Sequence, residues 1–175
     1  ENFMPSEFKE MAYEDDAFPI GYGQTISQPT TIVNMLALLN QNKHDSVLEA
    51  GAGSGFNAAV ISKLCKQVYS LELIPELVKL ARKNLKNEGI KNVQVIQGNA
   101  SRGYKIKSPY EKIIITAGAK AIPYNLKEQL KEGGTIVAPI GRYSQTMTRC
   151  IKENNELICT RHGKYSFVEF VENGR

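Results

Sequence analysis

The sequence predicts an α/β fold: one doubly wound, mostly parallel sheet closed by an antiparallel C-terminal hairpin. Three observations carry that prediction. Strand-like and helix-like segments alternate from residue 46 to residue 140, the succession that builds parallel sheets. Strand candidates such as Ile113-Ile114-Ile115 are apolar throughout, which a sheet covered by helices on both faces requires. The first of them runs into three glycines spaced two apart, Gly51, Gly53 and Gly55, and ligand crevices of open α/β sheets form at such strand ends.

Residues 1–18 are irregular and rich in acids and aromatics, and the spacing of Phe3, Phe8, Tyr13 and Phe18 predicts anchoring on a core surface rather than a free tail. Pro19 to Pro29 reads as a loop, with two glycines and a closing proline; its Gln24, Thr25, Ser27 and Gln28 offer neutral donors and acceptors. A helix follows from Thr30 to Asn40, with Val33, Leu36, Ala37 and Asn40 on one face. Strands are predicted at Ser46–Ala50, Gln67–Glu72, Val93–Gln97, Lys112–Thr116 and Thr135–Ile140, with helices at 57–66, 75–88 and 123–131 between them. Pro75 suits a helix first turn and Gly89 the position after its end. Ser144–Lys152 and Glu156–Arg161, joined by Glu153-Asn154-Asn155, read as a hairpin, and Ser166–Val171 reads as a further short strand.

The 175 residues suit one domain, and 42% hydrophobic with 23% charged residues is ordinary for a packed, soluble chain. The net charge of +4 comes without a run of five like charges, so a normally charged surface is expected and a nucleic-acid partner is not. No window approaches 18 apolar residues, so no membrane span is expected. The first residues lack the basic and apolar regions of a signal peptide, and a cytoplasmic monomer is expected. Cys65, Cys150 and Cys159 form an odd set without a C-x-x-C pair, which disfavours zinc and a disulfide framework. Cys150 and Cys159 fall on candidate neighbouring strands; in a cytoplasmic protein the expectation is two reduced thiols.

The stretch Val47–Phe56 carries the chemistry. An apolar strand ends in Glu49 and enters the glycines as E-x-G-x-G-x-G. Glycines let backbone N–H groups approach a ligand closely, and a carboxylate at that strand end can face it. A dinucleotide fingerprint is G-x-G-x-x-G, and the position it needs holds Phe56. A second acid, Glu72, ends the next strand about 20 residues on, where a ribose-binding carboxylate is expected. An adenine-containing cofactor at the switch point of the sheet fits both acids.

The pattern around Glu49 is similar to the first motif of class I S-adenosylmethionine-dependent methyltransferases, whose fold is Rossmann-like. Nearly the whole chain resembles one family within that class, the protein-L-isoaspartate (D-aspartate) O-methyltransferases. The resemblance rests on Ala12-Tyr13-Glu14-Asp15, on Gly21-Tyr22-Gly23-Gln24-Thr25-Ile26-Ser27-Gln28-Pro29, on Val47–Phe56 and Val68–Glu72, and on Ile114–Ala119, Leu130–Gly134 and Pro139-Ile140-Gly141. The Gly-Gln-Thr-Ile-Ser-Gln-Pro loop is its most distinctive part. The resemblance implies a single domain over 1–175, with 1–29 covering substrate and cofactor and 30–175 forming the α/β core. It implies Ser27 as the active-site serine, and Thr25 and Ile26 as the loop closing over the cofactor. It implies Glu49, Gly51, Gly53 and Gly55 as the cradle, Glu72 on the ribose, Leu73 against the adenine, and Asn99 and Ala100 bounding it. The implied cofactor is S-adenosyl-L-methionine, leaving as S-adenosyl-L-homocysteine, with no metal. The implied partners are isoaspartyl-containing proteins and peptides.

Three departures from the family's pattern stand out. Asn99-Ala100 replaces the usual Asp-Gly, keeping an acceptor oxygen but removing a charge and adding a methyl. Val168-Glu169 stands where Val-Pro is common. Family members generally carry another helix before Phe3-Met4-Pro5.

The implied reaction needs no general base, because a carboxylate with a pKa near ~4 is ionised at neutral pH. The sequence agrees: its two histidines, His44 and His162, lie outside every motif. Ser27 is not expected to be a covalent nucleophile, since no G-x-S-x-G elbow surrounds it; a helix N-cap is its competing structural role. Two rival readings remain at this stage: a class I methyltransferase of a small molecule, and a non-catalytic S-adenosylmethionine-binding module.

Overall fold

Seven strands form one sheet in the computed structural model, which describes residues 1–171. After a 3-10 turn at Ser6–Met11, the elements run β1 (Phe18–Gly21), β2 (Gln24–Ile26), α1 (Pro29–Leu39), β3 (Ser46–Ala50), α2 (Phe56–Ser62), β4 (Gln67–Glu72), α3 (Pro75–Asn87) and β5 (Val93–Gln97). Two short 3-10 turns, Ala100–Arg102 and Lys105–Lys107, lead to β6 (Tyr110–Ile115), α4 (Tyr124–Gln129), β7 (Leu130–Ile140), β8 (Gln145–Glu153) and β9 (Glu156–Tyr165). The sheet order is β5-β4-β3-β6-β7-β8-β9. Pairings from β5 through β7 are parallel, and β7–β8 and β8–β9 are antiparallel. The chain moves outward from β3 through β4 to β5, then returns to β3's other side as β6. This reversal opens a crevice at the C-terminal tips of β3, β4 and β6.

The all-apolar strands are explained by two cores. Leu48, Ile113, Ile115 and Ile136 pack on one face with Leu126 of α4 and the fully buried Tyr110. Their chain neighbours Val47, Ile114 and Val137 pack on the other face with Met35 and Leu39 of α1 and Ile61 of α2. Successive residues of a strand point to opposite faces, so both parities must be apolar when both faces are covered. Phe3, Phe8 and Phe18 join a smaller cluster with Ile20, Ile26 and Leu77, so the first residues are anchored as expected; Tyr13, by contrast, is exposed.

Several boundaries differ from the sequence reading, each for a physical reason. The loop around residues 18–26 contains a short antiparallel hairpin, Phe18 opposite Ile26, turned through Tyr22 and Gly23 at positive φ. Helix α2 stops at Ser62 rather than 66, where Asn92 Nδ2 bonds the Ser62, Cys65 and Lys66 carbonyls. Helix α4 stops at Gln129 because Leu130 already pairs with Tyr110 at the start of β7. Asn154 and Asn155, both at positive φ, form the tight turn that matches strand twist, and β9 continues to Tyr165. Residues 166–171 do not form a strand; one bridge, Gly118 to Glu169, ties them to the sheet. The expectation of reduced thiols fails at Cys150 and Cys159. The β8–β9 register sets them opposite each other with Cα atoms 4.0 Å apart, and they form a disulfide. Cys65 is free and buried.

Candidate functional site at the strand tips

Past Ala50 the chain turns through Gly51, whose φ is +108°. A Cβ there would stand 2.4 Å from Thr116 Oγ1. That hydroxyl lies 2.9 Å from the Ala50 carbonyl and 2.8 Å from that of Gly51, and donates to them. The Gly51 and Ala52 amides both bond Leu71 O at the end of β4. Glycine is therefore required at Gly51 by backbone conformation and by close packing at once. Gly55 serves a different contact: its α-carbon faces Ala81 of α3, 3.3 Å from where a Cβ would sit.

The two motif acids have unlike environments. Glu72 is buried, and its carboxylate organises backbone: Oε2 accepts from Gly53 N at 2.9 Å, and Oε1 from Leu73 N and Ile74 N at 2.8 and 3.0 Å. A carboxylate has about four acceptor sites, so one remains on Oε2. Glu49 is fully buried and stands behind the wall of the crevice rather than in it. It accepts from Ser70 Oγ in a short hydrogen bond and from Asn57 Nδ2 at 2.7 Å. Burial pushes its carboxyl up to about 7 against the pull of these two donors, with the charge of Glu72 adding to the rise.

That shift predicts a pH dependence. Between the ordinary value of 4.5 and the folded value of about 7, the folded chain holds a proton that the unfolded chain has released. Stability should therefore decline as pH rises through this window and level off above it, by on the order of 3 kcal/mol from this group. Urea titrations from pH 5 to pH 8 should show the decline in the parent protein and a flatter profile in Glu49→Gln. An unchanged slope in the variant would assign the effect to other groups.

The strap of the site is β2 with Ser27. Helix α1 is capped from elsewhere: Asp15 accepts from Thr30 N at 2.8 Å, Thr30 Oγ1 at 2.7 Å and Gln28 Nε2 at 2.9 Å. The Thr30 backbone N–H and hydroxyl hold the Asp15 carboxyl below its ordinary range. Ser27 is thus not the helix cap, because Gln28 occupies that position and Asp15 performs the bonding.

The crevice has two lobes that share Gln24, Gly51, Glu72 and Ala117. The first is walled by Thr25, Ile26 and Ser27 on one side and by Ala52, Gly53, Ser54, Asn57 and Thr116 on the other. The second is more apolar, between Leu71, Leu73, Ile74, Ala100 and Phe170. Val168 to Val171 cross the mouth, held where Gly118 N bonds Val168 O at 2.8 Å and Phe170 N bonds Gly118 O at 3.0 Å. No lysine or arginine lines either lobe among the described residues.

Of the residues singled out from sequence, Thr25, Ile26, Ser27, Gly51, Gly53, Glu72, Leu73 and Ala100 line this crevice. Glu49, Gly55 and Asn99 do not. Asn99 Oδ1 instead accepts from Ser101 N and Ser101 Oγ at 2.9 and 2.8 Å, capping the 3-10 turn. Thr116, Ala117, Asn57 and Phe170 were missed as wall residues. For Thr116 and Ala117 the signal was present, since they follow the apolar strand β6 at its C-terminal tip. Phe170 had none, because its approach depends on the Gly118–Glu169 bridge.

The residues fit an adenosyl cofactor with a charged amino-acid end. Gly51 leaves no room for a side chain on the floor, Glu72 keeps an acceptor position, and two buried polar atoms on this wall, Asn57 Oδ1 and Ser54 Oγ, lack protein partners. Among the described residues no cluster of side chains could hold a metal.

Comparison with known proteins agrees with this geometry. A family model described as protein-L-isoaspartate(D-aspartate) O-methyltransferase matches residues 1–175. The protein-L-isoaspartate O-methyltransferase of Pyrococcus horikoshii is 44% identical over 173 residues, 97% of this chain and 79% of the relative. A solved protein-L-isoaspartate O-methyltransferase superposes with a TM-score of 0.90 at 29% identity, covering 97% of this chain, which spans 57% of that longer one. Another, from Plasmodium falciparum in complex with S-adenosyl-L-homocysteine, has a TM-score of 0.82 at 25% identity, covering 98% of this chain and 85% of its own.

Proposed function

Because the chain belongs to the protein-L-isoaspartate (D-aspartate) O-methyltransferase family, we infer that it methylates the free carboxylate of L-isoaspartyl residues in damaged proteins and peptides. The methyl group comes from S-adenosylmethionine. The observation that carries this reading is that the Thr25–Ser27 strap and the Gly51–Ser54 turn wall the same lobe. Acceptor and donor sides of a transfer site are thereby set face to face.

S-adenosylmethionine supplies a methyl group activated by a positively charged sulfur. Glu72 would accept from a ribose hydroxyl with its remaining acceptor position, and the second lobe would take the adenine between Leu73, Ala100 and Phe170. Gly51 and Gly53 let the turn lie close under the cofactor. The Ser27 hydroxyl donates to the acceptor carboxylate and aims one of its oxygens across the lobe. Among the described residues no lysine or arginine lines the lobe, so the carboxylate is held there by neutral donors and keeps its nucleophilicity. The remaining acceleration is positional, and the buried Ile26 side chain in the strap helps to exclude water.

A radiolabelled methyl-transfer assay on one peptide in isoaspartyl and aspartyl forms tests this reading. Methylation of the isoaspartyl form alone is expected. Equal labelling of both forms would refute the selectivity, and cofactor binding without turnover would favour a binding module. In Ser27→Ala, turnover should fall at least about tenfold, the worth of a hydrogen bond to a charged group, while cofactor affinity stays within about twofold. Unchanged turnover would remove the hydroxyl from the site.

A further inference from the structure

We propose that Asn57 binds the ammonium group at the amino-acid end of the cofactor through its Oδ1, with Glu49 as the positioning residue that turns the amide that way. The proposal rests on the methyltransferase reading above and adds a contact to it. An asparagine amide has one donor end and one acceptor end. Glu49 Oε1 takes the Nδ2 end at 2.7 Å. Glu49 is held in its own place by Ser70. With Glu49 ionised, a flipped amide would set two oxygens against each other; in the observed orientation Oδ1 is left as a buried acceptor with no partner, on a residue that lines the first lobe. Buried polar atoms are rarely left unpaired; this one calls for a donor.

Several other acceptors around that lobe are engaged. The Ala50 and Gly51 carbonyls receive the Thr116 hydroxyl. Glu72, the one carboxylate lining the lobe among the described residues, accepts from three backbone amides, and its one remaining position is the one assigned above to the ribose. A cationic ammonium entering the lobe therefore finds a free acceptor at Asn57, with the buried Glu49 carboxyl directly behind it. The second unpartnered atom, Ser54 Oγ, can donate as well as accept. An acceptor and a donor three residues apart in the chain match a group that carries an ammonium and a carboxylate on one carbon.

Calorimetry on the whole chain tests this with two ligands: S-adenosylhomocysteine, and its analogue lacking the amino group. In Asn57→Leu and in the smaller Asn57→Ser, affinity for S-adenosylhomocysteine should fall about ten- to a hundredfold, the range for a hydrogen bond to a charged group. Affinity for the deamino analogue should change less than about threefold. Equal losses for both ligands would show that the amide only shapes the turn, and would overturn the proposal while leaving the cofactor site intact. No change for either ligand would also overturn it. Failure of the parent protein to bind S-adenosylhomocysteine would overturn this proposal together with the methyltransferase reading.

Discussion

Gly51→Ala is expected to lose cofactor binding by about a hundredfold or more and to destabilise the fold by about 3 kcal/mol. Two costs add. A non-glycine residue at a φ of +108° is strained, worth about 1–3 kcal/mol. The new methyl would also lie 2.4 Å from Thr116 Oγ1, and relieving the overlap moves a hydroxyl bonded to the Ala50 and Gly51 carbonyls. Overpacking of this kind costs about 1–3 kcal/mol. The turn and the tip of β6 must then separate, at the floor common to both lobes. Urea denaturation and cofactor calorimetry read the two effects. The double variant Gly51→Ala, Thr116→Ala should recover the packing part and leave the backbone strain. A single variant as stable as the parent, with normal affinity, would show that the turn is more pliant than its geometry implies.

Glu72→Ala should weaken cofactor binding about thirty- to a hundredfold and cost about 3 kcal/mol of stability. The carboxylate accepts from the amides of Gly53, Leu73 and Ile74. Removing it leaves buried donors unpaired, at about 1–3 kcal/mol for each that water does not reach. The affinity loss has two sources: the missing acceptor for the ribose, and the freed glycine turn that no longer presents its amides in one arrangement. Glu72→Gln separates them. It keeps one acceptor oxygen but turns an N–H group toward other donors, so it should lie between parent and alanine in both measurements. If Glu72→Ala binds cofactor like the parent, the carboxylate is a structural brace alone.

Much of this site was legible because its signals are local. Gly51 and Gly53 follow an apolar strand, and Glu72 ends the next one, so their meeting follows from parallel pairing of β3 and β4 in register. The distinctive Gln24–Pro29 loop marked Ser27, but not its freedom from capping. That freedom depends on Asp15, whose bond to Thr30 joins segments with no periodic pattern between them. Glu49 shows the opposite limit. Its motif position predicts contact with a ligand, yet it faces Ser70 and Asn57 within the protein. Which way a strand-end side chain points depends on what the neighbouring strand and helix offer it.

The sequence by itself determined the order of elements from β3 to β9, the two-sided burial of the sheet and the family to which the chain belongs, because these follow from short-range hydrophobic period and from motifs read along the chain. Only the tertiary structure decided which motif residues share a surface. It closed Val168 to Val171 over the mouth through Gly118, paired Cys150 with Cys159 across β8 and β9, and gave Asn57 its orientation. Each of these is a contact between segments distant in sequence or a choice of side-chain direction, set by hydrogen bonds and packing that exist only once the sheet has formed.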